Sequence, residues 1–392
     1  MSVANKKSSR KIGQPSILLA FDWFDHRIYA GIARFALEAE WHLSPYLFSD
    51  RSVPYNWPGH GAITSYGPTL GRFIESLKMP RVDVTVAKIP QPIPRVIVNN
   101  EAVGGLAARH LLKRGFQHFA YYSWPSVEVN DLRHRYYRAA LTAAGVPESN
   151  IHVLEQPGST QISDWILHEE AVLAQLVRMP RPLAVFTGQD NLGATLIEIC
   201  HKNGIHVPEE IAVLGVDNIE FLCDCLAVPM SSIDTRFEEL GYQAARQLQR
   251  RLDGEIGDDE PPLLVEPGKV VRRRSTEVLA VPHAGVASAL RVMQTEFGKP
   301  LTIEDICERV GMSKRGMEKA FRQFLRRSPA DELRRIRIDH AKRLLTETDL
   351  KIEAIARDCG YCNSSNLSLA FRRDADLTPR VYRRKFGRNP ER

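Results

Sequence analysis

From residue 16 to about 270 the chain alternates short, continuous apolar runs with longer stretches whose apolar positions recur every three or four residues. The runs are SILLAF (16–21), RVIVNN (95–100), HFAYYS (118–123), PLAVFTG (182–188) and IAVLGVD (211–217). Between them lie segments such as EAVGGLAARHLLKRG (101–115) and NLGATLIEICHKNG (191–204), helical in period and closed by glycine. Apolar strands without polar alternation are buried on both faces, and strand–helix alternation makes the sheet parallel. More than 250 residues of this pattern predict two doubly wound lobes, which bind ligands beyond the carboxyl ends of their strands. Asp217 and Asn218 stand at such an end.

The pattern changes after about residue 275. Beyond it no strand signal recurs, and everything from about 286 reads as helix. Two stretches of this region repeat one another, LTIEDICERVGMSKRGMEKAFRQF (301–324) and LKIEAIARDCGYCNSSNLSLAFRRD (350–374). Each predicts a short helix, a glycine turn at Gly311 or Gly360, a polar cap, and a second helix ending in Ala-Phe-Arg. That is a helix-turn-helix, whose second helix fits the DNA major groove. Domains are therefore expected at 16–275 and 283–388, the second all-α.

Charge sharpens the division. Residues 283–392 carry 24 Lys and Arg against 15 Asp and Glu, whereas the preceding 282 residues carry 29 against 32. A basic tail on a mildly acidic body points to a polyanion met by the tail alone. No apolar run approaches the roughly 18–20 residues of a membrane span. The apolar stretch 17–21 stops at Asp22, too short for the core of a secretory signal, so a cytoplasmic protein with its six cysteines as thiols is expected. Phosphate-loop, dinucleotide, HExxH and GxSxG patterns do not occur. Cys359-Gly-Tyr-Cys362 lacks a second ligand pair, so Cys359 reads as core; His110, His118 and His134 read as polar surface. No cofactor or metal is expected.

Residues 286–386 resemble the AraC-type DNA-binding domain, through RIDHAKRLL, IARDCGY, AFRR and LTPRVYRR. Arg327 and Asp376 stand where that family usually has glycine, and Leu367 where it often has Phe. The resemblance implies base-edge contacts from Arg315, Glu318 and Lys319 in the first unit, and from Ser364, Ser365, Asn366 and Leu369 in the second. Arg322, Arg372 and Arg373 are expected on phosphates, which give affinity and salt dependence rather than sequence choice.

Residues 16–272 resemble the LacI-type regulator core, a two-lobed relative of periplasmic sugar-binding proteins. The strongest stretch is PLAVFTGQDNLGATLIEICHKNGIHVPEEIAVLGVDN (182–218). Only about 15 residues precede the first strand, too few for the usual headpiece, so DNA reading is expected at the other end. By position the resemblance implies a sugar site of Asp217, Asn218, Arg133, Gln189 and Asp190, faced by Asp22, Asp25 and Trp23. Tyr136 replaces a family glycine, and Asn99 or Asn100 and Trp124 are further candidates. The expected protein is a sugar-responsive transcription regulator, a homodimer on double-stranded operator DNA, with D-xylose favoured and RNA polymerase as partner if it activates. The alternatives are a regulator of another sugar, or a sugar-modifying enzyme using Asp217 and Asp190 as acid and base.

Overall fold

The computed structural model describes residues 14–44, 54–156, 164–277 and 283–387. The expected start of the second domain lies at the edge of this range, and its end at residue 388 lies outside it. The first lobe is built on β1 (Ser16–Phe21), α1 (His26–Glu38), β2 (His42–Ser44), β3 (Gly61–Ser65), α2 (Gly71–Ser76), β4 (Arg81–Asp83) and β5 (Val96–Val98). The second uses α3 (Asn100–Leu112), β6 (His118–Tyr122), α4 (Glu128–Ala143), β7 (Ile151–Leu154), α5 (Trp165–Arg178), β8 (Leu183–Thr187), α6 (Asp190–Lys202), β9 (Ile211–Val216), α7 (Glu220–Asp224) and β10 (Ser231–Ile233). α8 (Phe237–Leu252) and β11 (Leu263–Val265) return to the first lobe, and β12 (Val270–Val271) pairs in the second.

The sheets run β2-β1-β3-β4 and β12-β10-β9-β8-β6-β7; a two-stranded β11-β5 pair continues the first through the Asp83–Arg95 bridge. Among the described strands all pairings are parallel except β10 with β12. The runs without polar alternation are buried on both faces. In β6 and β8, Phe119, Tyr121, Ala184 and Phe186 join one core, and Ala120, Tyr122, Leu183 and Val185 the other. The first core continues from lobe to lobe, joining Ile17 and Leu19 of β1 to Leu214 and Val216 of β9. Among the described residues the chain crosses between lobes three times, at 98–100, 233–237 and 265–270.

The second crossing is anchored by α8 against α1. These helices touch backbone to backbone: a Cβ on Gly31 would lie 1.9 Å from the Glu238 carbonyl oxygen, and one on Gly241 2.0 Å from that of Ile28. Only glycine permits this approach, and it holds the turn at Asp234–Arg236 against the first lobe.

Beyond the short 3-10 turn at Arg274–Thr276 the described elements are all helices: α9 (Ala284–Glu296), α10 (Ile303–Val310), α11 (Lys314–Leu325), α12 (Pro329–Glu347), α13 (Ile352–Asp358), α14 (Ser364–Ala375) and α15 (Pro379–Phe386). Two small cores form, one around Met293, Ile306, Met317 and Phe321, the other around Ile338, Ile355, Cys359, Leu367 and Phe371. α12 serves both, through Leu333 in the first and Ala341 and Leu345 in the second. Glu332, buried on this helix, is neutralised by Arg327 at 3.0 Å and Arg335 at 2.6 Å.

Gly31→Ala should force α1 from α8. Overpacking at such a contact costs about 1–3 kcal/mol, so a matching loss is expected in urea denaturation; unchanged stability would contradict the close contact.

Candidate ligand cleft and nucleic-acid interface

β9 ends in a corner that few side chains tolerate. Asp217 has φ 107° and Asn218 φ 50°, left-handed values that are rare outside glycine and concentrate at functional sites. The corner is held by Asp217 N–H donating to Ile233 O (2.9 Å) and Asn218 N–H to Ser232 Oγ (3.0 Å). This turns the Asp217 carboxylate towards α4, where Arg133 Nη2 donates to Oδ1 at 3.0 Å. Arg133 is 3% exposed and donates twice more, from Nη1 to Gly188 O (2.7 Å) and from Nε to Asn100 Oδ1 (3.1 Å). Three segments thus converge on one guanidinium: the start of α3 and the ends of β8 and β9. Burial pushes the Asp217 carboxyl up from its ordinary value, against the opposing pull of Arg133.

Asn218 is buried, and its Oδ1 accepts from Arg273 Nη1 at 2.9 Å. From the first lobe, Arg27 Nη1 donates to the carbonyls of Asp217 (2.7 Å) and Asn218 (3.0 Å), while its Nη2 pairs with Asp25 Oδ2 at 2.8 Å. The corner of the second lobe is therefore clasped by an arginine of the first. Neither Arg27 nor Arg273 stood out in the sequence, because their partners lie 190 and 55 residues away.

The other candidates divide. Asp25 caps α1 as well as holding Arg27. Asp22 accepts from Thr69 and Leu70 N–H (3.0 and 2.8 Å), bracing a turn of its own lobe. Trp23 is 39% exposed, its ring 5.6 Å from Phe237 at the second crossing. Gln189 is half-buried before α6 and makes no capping bond with its side chain. Asn99 caps α3, and Asn100 spends its amide on Arg133 and Val98 O. Trp124 packs against the second-lobe core near His168.

Asp190 corrects the expectation of a cleft-edge carboxylate. It is fully buried, accepting from Ser232 Oγ (2.6 Å) and Ile219 N–H (2.7 Å), with Cys223 Sγ at 3.5 Å. Standing first in α6, it points back under the β9 corner and braces it from beneath. Burial, with the charge of Asp217 behind it, pushes its pKa from 3.8 to about 7. His110 is corrected too: it is buried rather than surface, bonded to Thr276 Oγ1 at 3.0 Å, and burial with the charge of Arg114 pushes it down to about 3.

In the helical module Gly311 (φ 65°) and Gly360 (φ 73°) make the two turns. Ser313 caps α11 by accepting from Gly316 N–H, and Asn363 caps α14 by accepting from Asn366 N–H. α11 and α14 match at a spacing of 50 residues, whereas the glycines are 49 apart, so the second turn is one residue longer. The left-handed residues that close the two helices are Arg326 and Asp376. The glycine-like position of the first unit is thus Arg326, while Arg327 pairs with Glu332. Leu367 fills its place in the core.

One face of each recognition helix is buried, leaving Arg315, Lys319 and Arg322 exposed on α11 and Ser365, Leu369 and Arg372 at the matching positions of α14. Asn366 and Arg373 are also exposed, and Glu318, half-buried, stands 3.8 Å from Arg322 Nε. Ser368, the counterpart of Glu318, joins Ser364, Ser365, Leu369 and Arg372 along one shallow groove; only the structural match between units picks it out. Among the described residues no group of three or more His, Cys, Asp or Glu is placed to hold a metal, and no helix is long and apolar enough to cross a membrane.

These features define a class. A periplasmic binding protein-like domain matches residues 108–276 and a helix-turn-helix domain matches residues 306–385, so the chain joins a two-lobed α/β domain to a DNA-binding helix-turn-helix module, the build of a ligand-sensing transcription regulator. Relatives that share the whole build include xylose operon regulatory proteins. That of Escherichia coli K12 is 26% identical over 375 residues, covering 92% of this chain and 94% of its own. The structure described as the xylose-binding transcription activator xylR superposes with a TM-score of 0.73 at 23% identity, over 95% of this chain and 99% of its own. The HTH-type transcriptional activator RhaR of Yersinia pseudotuberculosis is 36% identical over 101 residues, 26% of this chain and 35% of its own.

The Asp190 geometry sets a pH dependence. A carboxyl whose folded pKa is raised keeps its proton where the unfolded chain has lost it, so stability falls as pH rises from about 4 to about 7, by about 1.4 kcal/mol per pH unit for one proton. In Asp190→Asn the amide can accept from Ile219 N–H and donate to Ser232 Oγ. Urea denaturation across this range should show a shallower slope for the variant than for the wild type; equal slopes would mean that Asp190 is ionised throughout.

Proposed function

We propose that this protein regulates transcription in response to a neutral sugar bound between its lobes, with D-xylose as first candidate. The observation that carries the reading is the buried Arg133–Asp217 pair, set at the carboxyl ends of β8 and β9 and faced by the first lobe. A charged donor and acceptor, already oriented, bind hydroxyls more strongly than neutral groups do. The sugar set is Arg133, Asp217, Asn218 and Gln189 from the second lobe, with Asp22, Asp25 and Trp23 opposite. Asp190 supports the corner rather than the sugar. With that carboxylate turned inward, the acid–base pair of the enzyme reading loses one member, and regulation is the better account.

DNA is read by Arg315, Glu318 and Lys319 from the first unit and by Ser364, Ser365, Asn366 and Leu369 from the second. Arg322, Arg372 and Arg373 take phosphates. Arg315 suits guanine, Asn366 adenine, and Glu318 a cytosine amino group. The sensor spans residues 16–275 and the DNA module 283–388. The protein works in the cytoplasm as a homodimer, an activator that recruits RNA polymerase. The reading leans on relatives named for the xylose operon and on the basic charge confined to the helical module.

Calorimetry against D-xylose, L-arabinose, D-ribose and D-glucose tests the sensor, and operator binding tests the reader. Asp217→Asn keeps an acceptor for Arg133 but loses charge; sugar affinity should fall on the order of tenfold, the effect of about 1.4 kcal/mol, while operator affinity without sugar stays the same. Arg315→Ala should do the reverse. Wild-type protein that binds none of the four sugars would sink the proposal.

A further inference from the structure

Helix α4 carries a second polar side chain on the face that presents Arg133. Asn130 lies one turn earlier, where i and i+3 side chains are neighbours. It is 0% exposed, yet neither Oδ1 nor Nδ2 has a hydrogen-bond partner among the described residues. Burying an amide without partners is costly, and native structures rarely leave one so. Its place is defined by Gly188, just past β8. A Cβ on Gly188 would stand 2.8 Å from Asn130 Oδ1, while the Gly188 carbonyl accepts from Arg133. The amide and the guanidinium therefore meet around one residue at the strand's carboxyl end.

The backbone beneath the amide is fixed. Tyr121 Oη donates to Asn130 O at 2.8 Å, and the Tyr121 ring stacks on His134 at 4.7 Å with an interplanar angle of 3°. Asn130 N–H donates to Val127 O at 2.8 Å. A rigid mount with an unfilled donor and acceptor is what a binding site needs and what a packing position avoids.

We propose that Asn130 is a specificity-determining residue of the sugar site, an inference that rests on the sugar reading above. Its Oδ1 accepts from one hydroxyl and its Nδ2 donates to the same or the adjacent hydroxyl of a pyranose. A hydroxyl both donates and accepts, so a sugar satisfies the amide where an apolar ligand cannot. A site built to bond a hydroxyl rejects an analogue lacking it far more strongly than an apolar pocket rejects a change of shape. Asn130 thus selects for the hydroxyl it faces, while Arg133 and Asp217 supply charge.

The test uses the full-length protein, calorimetry with D-xylose, L-arabinose, D-ribose and D-glucose, and the monodeoxy analogues of whichever binds. Wild type should discriminate against one analogue by about tenfold or more. Asn130→Ala should weaken the parent sugar by about the same factor, bind that one analogue as well as the parent, and leave the melting temperature without sugar unchanged or higher. If Asn130→Ala binds the sugar like wild type but melts lower without it, the amide holds a structural water and the proposal is overturned. Asn130→Ser, which restores a smaller donor and acceptor, should recover part of the discrimination; a variant that keeps none while folding normally also counts against it. If none of the four sugars binds the wild type, the sugar reading itself fails; if one binds and Asn130→Ala binds it equally, only this inference falls.

Discussion

The sensor depends on one buried guanidinium. Arg133 draws together the first residue of α3, the carbonyl after β8 and the carboxylate after β9, and has little exposure through which water could replace any of them. A buried ion pair adds little stability over an apolar contact, because desolvation offsets the attraction, but losing one partner leaves an expensive stranded charge. Its effect is therefore specificity of arrangement. The left-handed corner at Asp217 and Asn218 exists because Arg133 fixes its side chain, Asp190 braces it from below and Arg27 grips its carbonyls from the other lobe. Any hydroxylated ligand entering there meets groups already aimed.

That corner is linked to the DNA module by a short series of hydrogen bonds. Asn218 is held by Arg273, three residues before Thr276, and Thr276 is gripped by His110 and by Ser231 Oγ at 2.7 Å. Arg114 donates to the Thr276 carbonyl, and Gln294 of the first helix of the DNA module donates to the next carbonyl, that of Glu277. The strand end that faces the cleft and the helix that begins the DNA-reading unit are thus fastened to the same few residues.

Much of this was legible in the chain. β6, β8 and β9 announced themselves as unbroken apolar runs because both of their faces are buried. The double helix-turn-helix followed from glycines and caps that recur at nearly the same spacing, since those features are local. What escaped was contact across long separations. Arg27, Arg273 and Asn130 look like ordinary helix or loop polar residues, and only the fold brings the first two to the corner and the third to Gly188. Asp190 was misjudged because the first residue of a helix can turn either way, and burial beneath Ser232 decides it. The short strands β2, β4, β10 and β12 carry two or three residues each and are set by their neighbours in the sheet rather than by their own pattern. His110 read as surface because the residue it bonds, Thr276, lies 166 residues on.

If the cleft and the DNA-reading helices are energetically joined, the joining is reciprocal: sugar changes operator affinity by the factor by which operator changes sugar affinity. The most direct measurement is a calorimetric titration of the full-length protein with D-xylose, alone and saturated with operator DNA, beside operator binding with and without the sugar. The expected result is a shift in the xylose dissociation constant of the same factor as the shift in operator affinity, typically about 5- to 150-fold. An identical xylose affinity with and without DNA would mean that the cleft and the reading helices are two independent sites on one chain.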